Sequence, residues 1–189
     1  MELNNYICRA KRIDNGEWVY GYYLKRNTVQ VCFSSDDPKP KHYIIYEGFC
    51  DWGLEPPLIM TEVDPDTVCK ATGKIDKHEN KIFENDLLLI TFPISIDVAS
   101  IDGLGAKKYE YQTMLGKCVA DEYAGFVCIN KVADQYRWWY TEDCKDEIVE
   151  VVGNIYDNAD YICPTCGMPW NSKPDTENKT PCMTCGEFI

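Results

Sequence analysis

Short runs of alternating apolar and polar residues, broken by clusters of turn-forming residues, recur along most of the chain, and sustained helical stripes are few. That pattern predicts strands joined by tight connections. The stretch from Val68 to Ile90 organises the rest: polar residues Asp76 to Asn80 sit between β-favouring flanks, which is how a hairpin is written, and the run closes on Leu87-Leu88-Leu89-Ile90. A first hairpin is expected within residues 6 to 33, with Tyr6 to Ile13 and Trp18 to Leu24 as arms. Its turn falls at Asp14-Asn15-Gly16-Glu17, because Asn and Gly both tolerate positive φ. Strands follow at Thr28 to Phe33 and at His42 to Tyr46, with a polar loop between them, and Gly48 to Pro57, carrying Trp52 and Pro56-Pro57, reads as an irregular surface excursion.

Beyond Ile90 the alternation resumes. Ile94, Ile96 and Val98 alternate with Ser95, Asp97 and Ala99; Asp102-Gly103-Leu104-Gly105 breaks the run; Tyr109, Tyr111 and Thr113 alternate again. This predicts a hairpin inserted at about 91–115. A strand pair is expected at Gly116 to Ala120 and Gly125 to Ile129, another strand at Tyr136 to Tyr140, and a closing segment at Ile148 to Asn158. Adjacent Trp138 and Trp139 on a strand point to opposite faces, so one packs inward and the other needs a cover. The inserted hairpin needs one too, since two alternating strands bury no apolar face alone; a second copy of the chain is one candidate, which makes a homo-oligomer one expectation.

The chain has 189 residues, enough for one body plus an appendage, and the division expected is a β body over 1–160 and a separate tail over 161–189. A formal net charge of -12 opposes a phosphate backbone and argues against extended nucleic-acid binding. The first residues lack the basic start and apolar core of a signal peptide, and no apolar run approaches the roughly 20 residues of a membrane helix. A cytoplasmic protein is the expectation.

Of eleven cysteines, four stand in two Cys-x-x-Cys pairs, Cys163/Cys166 and Cys182/Cys185, fifteen residues apart and each followed by Gly. A two-residue spacer lets both thiolates of a pair reach one ion, and the Gly permits the tight backbone turn of a metal knuckle. The expected ligand is Zn²⁺ in a ribbon-like tail, and four sulfurs leave no open coordination position, so its role is structural. Acidic residues outnumber Lys173 and Lys179 in the tail, which favours stapling or protein docking over nucleic-acid contact. In a reducing compartment the other seven cysteines are small buried hydrophobes. The two histidines, His42 and His78, have no nucleophile or paired carboxylates nearby in sequence, so no catalytic residue is assigned.

Three separated segments carry a family resemblance. Thr72-Gly73, Asp76-Lys77, Lys81-Ile82-Phe83-Glu84 and Asp86-Leu87 form the central one; Arg9 to Gly21, reading Arg-Ala-Lys-Arg-Ile-Asp-Asn-Gly-Glu-Trp-Val-Tyr-Gly, precedes it; Glu150 to Asn158, reading Glu-Val-Val-Gly-Asn-Ile-Tyr-Asp-Asn, follows. In this order they resemble the YopX family of small bacteriophage and prophage proteins. The chain departs from the family pattern at Cys69-Lys70-Ala71 and places Asn80 and Asn85 where Gly is common; Asn tolerates left-handed backbone, so the turns survive. The resemblance implies a mainly β fold of small antiparallel strands, with an SH3-like barrel in the part after Lys70. It supplies no activity. The reading drawn from it is a phage-encoded, non-enzymatic binding protein acting in the host cytoplasm on a protein or small ligand. Two alternatives stay open: a nucleotide-metabolising or other phage enzyme, and a nucleic-acid adaptor built on the ribbon.

Overall fold

The structure is a computed structural model that describes residues 7–27, 39–98, 106–121, 125–129, 136–137 and 148–163. Its strands are antiparallel, and none of the described residues forms an α-helix, so none forms a helix long and apolar enough to cross a membrane. Two compact units divide the chain, Met1–Gly73 and Lys74–Ile189.

In the first unit β1 (Ile7–Lys11) and β2 (Trp18–Arg26) form the expected hairpin. Gly16 takes φ +73° at its turn, the Arg12 carbonyl accepts from Gly16 N at 3.0 Å, and the Asn15 side chain accepts from Glu17 N at 3.0 Å. β3 (Lys41–Glu47) pairs with the far half of β2. A Cβ at Gly21 would lie 2.2 Å from the Ile45 carbonyl oxygen, so the two strands approach this closely only because the residue is Gly. The sequence pattern missed β4 (Leu58–Glu62): Leu58-Ile59-Met60 does not alternate and directly follows the two prolines that end the excursion, so the pattern assigns it no element. After β4 the chain crosses the end of β1 through a single bridge, Arg12 to Val63, and a 3-10 turn at Pro65–Thr67 capped by the Asp64 carboxylate. β5 (Cys69–Ile75) then pairs with the other side of β1, giving the order β4-β3-β2-β1-β5. One face of this sheet is the core: Cys8, Ala10, Val19, Ile44 and Val63.

In the second unit β6 (Lys81–Phe83) leads into β7 (Asp86–Val98), β8 (Ala106–Asp121), β9 (Gly125–Ile129), β10 (Tyr136–Arg137) and β11 (Ile148–Asn154), and the sheet order is β10-β9-β8-β7-β11. The segment expected as an inserted hairpin is continuous with the body. β7 and β8 pair in one unbroken register from Leu87↔Lys117 to Val98↔Ala106, so residues 91–98 and 106–115 continue the strands of the body. Alternate positions of these strands build the core, with Leu88, Ile90 and Phe92 packed among Ile82, Cys118 and Val149. Neither sheet closes on itself among the described residues, where the second ends on β10 and β11 without pairing them, and an SH3-like barrel is not shown. Strand Thr28 to Phe33, the Trp138-Trp139 pair and the tail beyond Cys163 lie outside the described residues.

Candidate functional site

Within the second unit, residues of the central signature from Asp76 onward meet those of the C-terminal signature, where they hold turns. Asp76 is buried; its Oδ1 accepts from His78 N and Asn80 N, both at 2.8 Å, while its Oδ2 accepts from Asn80 Nδ2 at 3.1 Å and from Val151 N on β11 at 3.2 Å. Burial disfavours the charged form, but these hydrogen bonds outweigh it and hold the Asp76 carboxyl below its ordinary range. The neighbouring turn is built alike: buried Asp86 accepts from Phe83 N at 2.7 Å, and Asn85 takes φ 66°, as its tolerance for left-handed backbone allows. In the first turn the left-handed residue is Glu79, not Asn80, while Asn80 donates to Asp76.

The C-terminal signature closes the arrangement. Asn154 Oδ1 accepts from Tyr156 N and Asp157 N, Asn158 Oδ1 accepts from Asn154 N, and Asn85 Nδ2 donates to Tyr156 Oη at 3.2 Å. Gly153 faces Asn158 so closely that a Cβ would sit 2.2 Å from Asn158 Oδ1. These segments of the two signatures thus encode one hydrogen-bonded corner, and the polar atoms of Asp76, Asp86, Asn154 and Asn158 are used in holding it together.

His78 Nε2 lies 3.5 Å from Glu150, an exposed pair, and Lys77 Nζ lies 2.6 Å from the same carboxylate. Lys77 first, and His78 after it, hold Glu150 below the ordinary carboxylate range. His42, on β3, contacts the Tyr23 hydroxyl through Nδ1. Of the predicted metal ligands, Cys163 is described and buried, whereas Cys166, Cys182 and Cys185 lie outside the described residues. No group of three or more His, Cys, Asp or Glu side chains suited to a metal occurs among the described residues. The donor set fits Zn²⁺ by its chemistry, four sulfurs at knuckle spacing, and buried Cys163 is compatible with a ligand kept from water. Of the other described cysteines, Cys8, Cys69 and Cys118 are buried as small hydrophobes, whereas Cys50, in the loop before β4, is only partly buried and departs from that expectation.

Among the described residues, the largest exposed aromatic side chains are in the first unit. The excursion before β4 is a held loop: Gly48 N donates to Pro57 O at 2.8 Å across its neck, and Leu54 N donates to Asp51 O at 3.2 Å within it. It presents Phe49, 92% exposed, and Trp52, 104% exposed, with Leu54, Leu58 and Met60 exposed beside them in sequence. Sequence reasoning placed this segment on the surface but did not identify its apolar content as a candidate site. The signal was there: Phe49, Trp52 and Leu54 stand among Gly, Pro and acidic residues with no alternation to carry them inward.

No curated protein and no solved structure matches the chain. The family described as YopX protein matches residues 9–162, a span that includes all three signature segments. With that match covering most of the sequence, this chain belongs to the YopX family.

Proposed function

We propose that this chain is a phage-encoded, non-enzymatic binding protein that works in the host cytoplasm by docking a protein partner, with a structural Zn²⁺ held by Cys163, Cys166, Cys182 and Cys185 stapling its tail. The observation that carries the reading is the held loop of residues 48–57. Leaving Phe49 and Trp52 in water forgoes burial worth about 1.5–3 kcal/mol for each large side chain. A partner that covers them recovers that energy, and aromatic anchors of this kind dominate protein interfaces. The signature side chains support the same reading, since their hydrogen bonds go to turns rather than into a cleft.

Affinity capture from a bacterial lysate, comparing the wild-type protein with Trp52→Asp and Phe49→Asp, tests the proposal. The expected result is a defined protein recovered by the wild type and lost by both variants, whose melting temperatures stay unchanged because the altered side chains touch little of the fold. Identical capture by all three proteins would remove the loop from the mechanism.

A further inference from the structure

The held loop of residues 48–57 joins β3 to β4 at one end of an exposed sheet face, and the charge around it is one-sided. Residues directly opposed in an antiparallel pair share a face. Tyr22↔Ile45↔Met60 is one row across β2, β3 and β4, and Glu47↔Leu58, at the neck of the loop, lies on the same face. Ile44, on the other face of β3, belongs to the core, so these rows look outward, with Tyr22 and Met60 half-exposed and Leu58 more so. Exposed Glu47, Asp51 and Glu55 stand among Phe49, Trp52, Leu54 and Leu58. From His42 to Cys69 the chain carries six carboxylates and neither Lys nor Arg, so no cation of that segment can neutralise the loop. Among the described residues no ion pair engages Glu47, Asp51 or Glu55. The cations on this face stand elsewhere: Arg9 and Lys11 are on β1, two strands from β3, against the Trp18 ring, while Arg26 and Lys41 are at the other end of β2 and β3, with Lys41 bound to Glu62.

We propose that this surface docks a cationic amphipathic segment of a partner protein, whose apolar side chains cover Phe49, Trp52 and Leu58 and whose Lys or Arg side chains meet Glu47, Asp51 and Glu55. The inference rests on the protein-docking reading and adds the chemistry of the partner. A cation is recognised here in two ways, by a carboxylate and by the face of an exposed aromatic ring. Carboxylates at the rim of an apolar contact steer an oppositely charged partner towards it and disfavour partners of their own sign. Other occupants fit worse. Nucleic acid and an anionic lipid surface both bring phosphates against the three carboxylates, in a chain whose net charge is already -12. A second copy docking loop to loop sets the same acids against each other.

A random peptide library displayed on phage is selected on the immobilised full-length protein, and fluorescein-labelled copies of the recovered peptides are titrated with anisotropy as the readout. The expected result is peptides that carry Lys or Arg beside aromatic or aliphatic residues and bind more weakly as salt rises. Trp52→Ala should weaken them by about 30-fold or more, the loss of an interface anchor. Asp51→Asn combined with Glu55→Gln should weaken them by about two- to 30-fold, the range for two exposed charge pairs. Glu79→Gln combined with Glu84→Gln, which removes the same charge from the second unit, should leave affinity unchanged. Thermal melts verify that each variant is folded. Peptides that are lost by Trp52→Ala but carry no cations, or that ignore the Asp51 and Glu55 exchange, overturn the cationic partner and leave the docking reading standing. Equal weakening by the Glu79 and Glu84 exchange also overturns it, because the field of the whole chain then accounts for the binding. Peptides that bind Trp52→Ala as tightly as the wild type remove both readings. Recovery of no peptide overturns the inference, and self-association of the wild type that is lost in Trp52→Ala would then assign the surface to a second copy.

Discussion

Asp76→Asn isolates the bond that ties the central turn to β11. The substitution keeps Oδ1 as acceptor for His78 N and Asn80 N but replaces Oδ2 by an amide, so an N–H donor now faces two other donors, Asn80 Nδ2 and Val151 N. Asn80 is exposed and its side chain turns to water, whereas Val151 N on the half-buried strand loses its acceptor. A hydrogen bond to a charged group contributes about 1.5–3 kcal/mol, and orphaning a buried donor costs about as much, so the variant should be destabilised by about 2–3 kcal/mol at neutral pH. Urea unfolding measures it, and amide exchange at Val151 should quicken in parallel. The pH dependence is the sharper part. Asp76 has a folded-state pKa below its ordinary 3.8, so its contribution is fully present above that value and is lost as pH falls through the depressed one. Protonated Asp76 presents an O–H much as the amide presents N–H, so wild type and variant should converge in stability in strong acid. A difference that stays constant from neutral pH to below pH 3.8, or one under about 0.5 kcal/mol throughout, would refute the assignment.

Gly153→Ala should destabilise the second unit by about 1–3 kcal/mol, the range for forced overpacking, because the new methyl meets Asn158 Oδ1, which already accepts from Asn154 N; thermal melting checks it, and an unchanged melting temperature would contradict the close approach. Elemental analysis should find about one zinc per chain, and Cys182→Ser should lower that content and loosen residues 161–189 towards protease while the two cores persist; metal-free protein with an equally resistant tail would exclude the site. Gel shift with random duplex DNA at physiological salt should show weak binding, since the net charge of -12 opposes it; a tight, salt-sensitive complex would overturn that argument. Light scattering tests self-association through the outer part of the β7–β8 pair, where Tyr109 and Tyr111 are exposed on one face: a dimer mass that reverts to monomer in Tyr111→Asp is the expected result, and a monomeric wild type would end it.

Much of the secondary structure was legible because local chemistry decides it. Asn15-Gly16 dictates a tight turn wherever it lies between strands, Asp76 to Asn80 dictates the next, and period-two alternation marks the outer parts of β7 and β8. Locally ambiguous segments were lost. β4 has three successive apolar residues and no alternation, so only its pairing with β3 makes it a strand. The break at Asp102 to Gly105 looked like the tip of a separate insert because sequence shows where a hairpin turns and not how far its arms stay paired.

For the site the division is similar. Sequence alone determined the family signatures, the Cys-x-x-Cys spacing and the acidic balance, since these are properties of neighbouring residues or of their sum. Only tertiary structure could show that Asp76 and Val151, or Asn85 and Tyr156, are partners, because hydrogen bonds between residues more than 70 positions apart depend on which strands lie side by side. The same holds for exposure. Trp18, Tyr20 and Tyr22 have the period of one strand face, but whether that face is core or surface is set by which side of the sheet Val19 and Ile44 fill, and that is decided by packing.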